Sequence, residues 1–197
     1  MELQTRTEIH MQKGIFATAG SPDCCSDASG RVDKTPGRPQ CDKAGMPFYT
    51  AVSINLADDG QLMDMMVEAG FDQVFIGIET SDEGSLTECG KKQNKSRNLV
   101  EDVKRIQRAG LHVQGGFIVG FDNDTPSIFR QQIDFIQKSG IVMANVAILQ
   151  APTGLRLYER LKREGRLLGQ MLFDVAYGST NFVPAMNLVA LREGYIV

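Results

Sequence analysis

The sequence predicts an α/β fold: a partial (β/α) barrel of about four parallel βα units behind a disordered N-terminal leader. Three observations lead there. From Pro47 onward, short segments with apolar residues at every second position alternate with longer segments at helical spacing. Glycines stand where the helical segments stop, at Gly70, Gly110 and Gly140. Residues 1–45 show neither period and are rich in breakers such as Ser21-Pro22-Asp23 and Thr35-Pro36-Gly37, so they have too few aliphatic side chains to offset their conformational entropy.

Residues 48–56 read as the first strand, with Val52, Ile54 and Leu56 alternating against Ala51, Ser53 and Asn55. Residues 57–70 read as the first helix. Leu62, Met65, Met66 and Ala69 share a face, Asp58 and Asp59 sit at its positive end, and Gly70 stops it. Residues 73–79 form the second strand, 81–89 a short helix, and 96–109 a longer helix carrying Leu99, Val103 and Ile106. The third strand is 112–119. Pro126 fits the first turn of a helix reaching Ser139, with Asp124-Thr125-Pro126 as its N-terminal cap. Residues 141–149 form the fourth strand and 155–164 the last helix, with Leu157, Tyr158 and Leu161 on one face. Strands separated by helices imply a parallel sheet with right-handed crossovers, either half of an eight-stranded barrel or most of an open doubly wound sheet.

Composition excludes several classes. A hydrophobic share of 42% with a charged share of 23% is that of a globular chain, and a net charge of −3 argues against nucleic-acid binding. No apolar run is long enough to span a membrane, and the mixed polar start is no signal peptide. Four cysteines in 197 residues do not make a disulfide framework, which points to a reducing cytoplasm. An open half barrel also exposes two strand edges, so self-association is expected.

The strand faces suggest a site. Ala51, Ser53 and Asn55 share one face of the first strand; Phe75, Gly77 and Glu79 one face of the second; Gly116, Ile118 and Gly120 one face of the third. These small or polar faces suit a ligand, whereas the opposite faces are aliphatic. In parallel α/β folds ligands bind at the C-terminal strand ends, and Glu79 ends its strand there. A helix cap or surface acid is the plain alternative for Glu79. Gly115-Gly116-Phe117-Ile118-Val119-Gly120 lacks the strand–turn–helix spacing of a dinucleotide fingerprint, and no phosphate loop is present. Residues 121–125 lack the glycine and glutamate of a calcium loop. Cys24, Cys25, Cys41 and Cys89 have no metal-ligand spacing, His10 and His112 are isolated, and Lys91-Lys92 reads as a solvated face, so no metal ligand and no catalytic residue is assigned.

From about residue 46 onward several ordered segments agree with one known pattern: the strand around Thr50 with Ala57-Asp58-Asp59, residues 74–80, Gly115 through Asp122, residues 149–154, the helix from Leu157 to Gly165, and Thr180 through Pro184. On these segments the chain resembles the radical S-adenosylmethionine superfamily, in the branch that carries a cobalamin-binding domain. It implies a cytoplasmic iron–sulfur oxidoreductase or cobalamin-dependent methyltransferase acting on a small molecule. It also implies S-adenosylmethionine binding through Gly77, Glu79, Thr80, Gly116, Ile118, Gly120, Asp124 and Gln150, with Ser53 and Asn55 facing substrate. Glu79 matches a ribose or amino-acid contact, and Gly116, Ile118 and Gly120 match the strand under the adenine. Two departures stand out. The three-cysteine motif that holds the family's [4Fe-4S] cluster is missing, and Ala51 replaces a glutamate usual in the branch.

The organisation expected is therefore a leader over 1–45 that matches nothing in the family, a partial barrel over 46–168, and the start of a C-terminal extension over 169–197. The chain reads as a fragment, frameshift or pseudoenzyme of that family, inactive alone and binding neither [4Fe-4S] nor cobalamin. The alternative is a non-catalytic α/β module that binds a nucleoside or a partner. A weaker third reading is an unrelated barrel lyase with Glu79 as general base.

Overall fold

The computed structural model describes residues 47–169 and 179–196; the predicted leader, with Cys24, Cys25 and Cys41, lies outside the described residues. Four strands form one parallel sheet in the order β1 (Phe48–Val52), β2 (Phe71–Glu79), β3 (His112–Val119) and β4 (Met143–Ile148). Between them run α1 (Gly60–Glu68), α2 (Glu83–Glu88), α3 (Leu99–Arg108) and α4 (Ser127–Ser139); α5 (Arg156–Arg163) and α6 (Leu188–Ile196) follow. Sequential parallel strands joined by helices are the architecture of a partial (β/α) barrel.

The core lies on one side of the sheet only. Val74, Ile76, Ile78, Val113 and Phe117 point outward into a cluster with Met63, Met66, Val103, Ile106 and Phe135 from α1, α3 and α4. α3 is specified at both ends: the Asn98 side chain accepts the Glu101 N–H, Glu101 and Asp102 occupy the first turn, and Arg105 and Arg108 the last. Gly140 closes α4 at φ 72°, a left-handed value that glycine adopts without strain.

The inner face is open. Tyr49, Ala51, Asn145 and Ala147 on it are exposed. Register aligns Ala51 with Phe75, Gly77 with Gly116 and Gly116 with Asn145, so these residues share that face. The outer β4 edge is partly covered, because Tyr195 of α6 donates its hydroxyl to the Val146 carbonyl at 3.0 Å.

Three sequence expectations are corrected. The first strand ends at Val52, not Leu56. Ser53 accepts the Asn55 N–H on its hydroxyl and the Leu56 N–H on its carbonyl, which turns residues Ile54–Asp58 into a 3₁₀ helix. Ile54 and Leu56 are still buried, so their period-two spacing imitated a strand. Asp124 does not cap α4, whose N-cap is Pro126 without a side-chain bond. Finally, α6 was not foreseen. It buries Leu191 against Val119, Ile128 and Ile148.

Candidate functional site

Glu79 stands at the C-terminal end of β2, as its place in the sequence implies. β2 breaks its register with β3 between Gly77 and Glu79, and Glu79 takes φ 68°. The Thr80 N–H bonds the Ile78 carbonyl at 2.9 Å, closing a three-residue turn around Glu79. A glutamate in the left-handed region is strained, and such strain collects where surrounding contacts enforce it. Here Asn94, almost fully buried, supplies the enforcement: its Nδ2 donates to the carbonyls of Gly77 at 3.2 Å and Ile78 at 3.0 Å.

The turn folds the Glu79 side chain back over the inner face. A Cβ placed on Gly77 would lie 2.6 Å from Glu79 Oε1 and 3.0 Å from Lys91 Nζ, and those two groups form a 2.8 Å ion pair. A Cβ on Gly116 would meet Phe75 Cζ at 2.5 Å. Glu79, Gly77, Phe75 and Gly116 thus share the inner face, and both glycine hollows hold the tips of neighbouring side chains. Ile118 alternates onto the same face and is half-buried.

The other expected residues divide by role. Thr80 is fully buried and its hydroxyl accepts the Asp82 N–H. Gly120, at φ 101°, does not share the face of Gly116 and Ile118; a Cβ there would point to Leu191 and Ile148 in the outer layer. Asp124 is buried and fully engaged within the protein. Its Oδ2 accepts the N–H groups of Gly120 at 2.8 Å and Phe121 at 3.1 Å, and its Oδ1 accepts the Ser85 hydroxyl at 2.8 Å. Burial pushes its carboxyl above the ordinary range despite these donors. Gln150 donates to the Ser179 carbonyl. Ser53 and Asn55 lie in the turn after β1, where Asn55 Oδ1 accepts from Arg97 at 3.1 Å.

Sequence reasoning missed the charged framework of the rim. Lys91 is the ion-pair partner of Glu79 rather than a solvated charge. Arg97 grips both Asp58 oxygens at 2.8 Å and Asp102 at 2.8 Å, and these carboxylates raise its pKa. Asp122 accepts from Arg160 at 2.7 Å and from Arg166 at 2.6 Å, while Arg160 also reaches Glu88 at 2.7 Å. The Arg166 guanidinium holds the Asp122 carboxyl below the usual range. Charge-pair spacings of 38 and 44 residues carry no local signal. A separate cleft of about 490 Å3 lies outside the inner face, lined by Ser81, Glu83, Ser96, Arg97, Leu99 and Phe135.

The donor set decides which groups fit. The Gly77 hollow, with a carboxylate at its edge, suits a polar ligand that donates to Glu79. A [4Fe-4S] cluster needs several thiolates, and among the described residues Cys89 is the free cysteine; its Sγ lies 3.5 Å from the Leu86 carbonyl, and desolvation raises its pKa. The described residues do not fit a cluster, nor do they contain a group of three His, Cys, Asp or Glu side chains placed to hold a metal. Among them no helix is long and apolar enough to cross a membrane.

Comparison with known proteins finds similarity to methyltransferases. A family model described as a domain of unknown function, DUF4070, matches residues 156–197, which hold α5 and α6. An uncharacterized methyltransferase of Synechocystis sp. is 42% identical over 145 residues, covering 74% of this chain and 26% of the relative. The hopanoid C-2 methylase of Rhodopseudomonas palustris is 36% identical over 116 residues, 59% of this chain and 22% of that protein. The bacteriochlorophyllide d C-12(1)-methyltransferase of Chlorobaculum tepidum is 25% identical over 120 residues, 61% of this chain and 26% of the relative. The chain spans about a quarter of the length of these relatives. It is similar to methyltransferases of the hopanoid C-2 methylase and bacteriochlorophyllide methyltransferase type.

Proposed function

We propose that this chain corresponds to the C-terminal part of a radical S-adenosylmethionine barrel of the cobalamin-associated, methyltransferase type, and that it carries an adenosyl-ligand half-site. The observation that carries the reading is Glu79: a strained glutamate at φ 68°, ending a central strand, with its carboxylate over Gly77 on the open inner face. Such strain is maintained where a side chain must point against its strand's preference. The carboxylate is placed to accept hydrogen bonds from hydroxyl or ammonium groups of a ligand that displaces the Lys91 tip over Gly77 and packs beside the Phe75 ring over Gly116. Thr80, Gly120, Asp124 and Gln150 act by shaping the rim, since their polar groups are engaged within the protein. Ser53 and Asn55 stand at the β1 end of that rim, toward the substrate side.

In the complete enzyme, S-adenosylmethionine supplies the transferable methyl group, and a [4Fe-4S] cluster and cobalamin supply the redox and methyl-carrier chemistry. The chain by itself is proposed to bind the adenosyl ligand and to carry out no methyl transfer. The test is isothermal titration of the full chain with S-adenosylhomocysteine. Saturable binding that Glu79→Gln weakens at least several-fold supports the reading. Binding unaffected by that substitution, or none at all, removes it.

A further inference from the structure

We propose that two copies of this chain pair through the edge of β1, antiparallel about a twofold axis at Thr50, and join their sheets into one of eight strands. The proposal goes beyond the ligand reading above and does not depend on it.

The two sheet edges differ. The Leu149 N–H bonds the Val119 carbonyl at 2.8 Å, so alternation turns the Val146 carbonyl to the outer side of β4, where the Tyr195 hydroxyl occupies it. At the other edge the Phe48 N–H bonds the Gly70 carbonyl at 3.0 Å, so Phe48, Thr50 and Val52 bond toward β2. The N–H and C=O groups of Tyr49 and Ala51 therefore point away from the sheet and meet no partner among the described residues. Nothing on β1 protects this edge. The strand carries no charge and no proline, and Phe48 is 53% and Tyr49 50% exposed. The adjoining flank of α1 is apolar as well. Val67 faces Gly110, while Met65, about 200° around the helix on the opposite flank, is 57% exposed.

The edge fits a copy of itself. Antiparallel pairing about Thr50 sets Tyr49 of each copy opposite Ala51 of the other, so all the outward N–H and C=O groups of these two residues find partners. Thr50 then faces its own symmetry mate on the helix-covered side. Its hydroxyl is buried and has no hydrogen-bond partner among the described residues, and two facing threonine hydroxyls supply one another with a donor and an acceptor. A head-to-tail contact, β1 against β4 of the next copy, would have to displace Tyr195 and would leave an edge open at each end, whereas the twofold contact closes. Opposed residues of antiparallel strands share a face, so the two inner faces lie side by side and stay open, with the Glu79 ends of the two β2 strands pointing in opposite directions.

The test is the mass of the full chain by light scattering and sedimentation over a concentration series reaching about 100 μM. The expected species has twice the 21.7 kDa mass of one chain. Ala51→Pro removes an outward N–H that the β1–β2 ladder does not use. Circular dichroism should show the fold kept while the dimer dissociation constant rises about tenfold or more. Two doubly substituted chains test the pairing itself: one with Tyr49→Lys and Ala51→Lys, the other with Tyr49→Glu and Ala51→Glu. Each sets like charges opposite one another and should be monomeric alone, and an equimolar mixture should dimerise. A wild-type monomer at every concentration overturns the proposal, whatever else then covers the edge. So do assemblies that keep growing with concentration, a dimer indifferent to Ala51→Pro and to both double substitutions, or a mixture that stays monomeric.

Discussion

Replacing Asp124 isolates what holds the rim loop after β3. Its carboxylate receives the N–H groups of Gly120 and Phe121 and the Ser85 hydroxyl, at 2.8, 3.1 and 2.8 Å, in a buried setting. Asp124→Ala leaves two backbone donors and one hydroxyl without their partner. At about 1–1.5 kcal/mol per bond, the loss of three bonds is about 3–4.5 kcal/mol, a large share of a small domain's stability. Asp124→Asn retains a carbonyl for the two N–H groups and an amide for Ser85, so its loss should be about 1 kcal/mol. Urea unfolding followed by far-ultraviolet circular dichroism reads both values. The pH dependence has a definite sign. The folded carboxyl is held above its ordinary range, so its contribution is complete below the unfolded value and is lost as pH rises through the raised folded value. The deficit of Asp124→Asn against wild type should therefore be greatest in acid and shrink toward neutrality. An Asp124→Ala loss below about 1 kcal/mol, with an unchanged urea dependence, would refute the claim that this carboxylate ties the loop.

Glu79→Gly removes a strained left-handed glutamate, and chemical denaturation should show stability unchanged or raised by about 1 kcal/mol while adenosyl-ligand binding falls. Asp122 titrates in the opposite sense to Asp124: Arg166 holds it low, so its contribution is present above the ordinary carboxylate range and is lost as pH falls through the depressed folded value. Amide exchange in α5 should accelerate in that acid window in wild type but not in Asp122→Asn. A Cβ on Gly194 would collide with the Phe129 ring, so Gly194→Ala should push α6 off α4, cost about 1–3 kcal/mol and speed limited proteolysis near the C-terminus.

Much of the sheet was legible because its two faces differ so sharply. Val74, Ile76 and Ile78 against Phe75, Gly77 and Glu79 announce a strand with one helix-covered face and one face for something else, and the structure places them so. The end of β1 was not legible, because a 3₁₀ turn that buries Ile54, Leu56 and Ala57 continues the strand's alternation by coincidence. Only the Ser53 cap distinguishes the two. α6 offered weak signals: apolar residues lie on several of its sides, with Val189 and Ile196 exposed and Leu191 buried. In the site, Glu79 was legible from its place at a strand end. Lys91, Asn94 and Arg166 were not, since each acts on a residue 12 or more positions away through a contact made only by the fold.

The central claim is that the open inner face, at Glu79, Gly77 and Gly116, is the adenosyl-ligand surface. Its most direct test is backbone amide shift mapping by nuclear magnetic resonance of the full chain titrated with S-adenosylhomocysteine. The expected result is a saturable set of shifts centred on Gly77, Glu79, Lys91 and Gly116 on the inner face. Shifts centred instead on the cleft of Ser96, Arg97 and Leu99, or no saturable shifts at all, would contradict it.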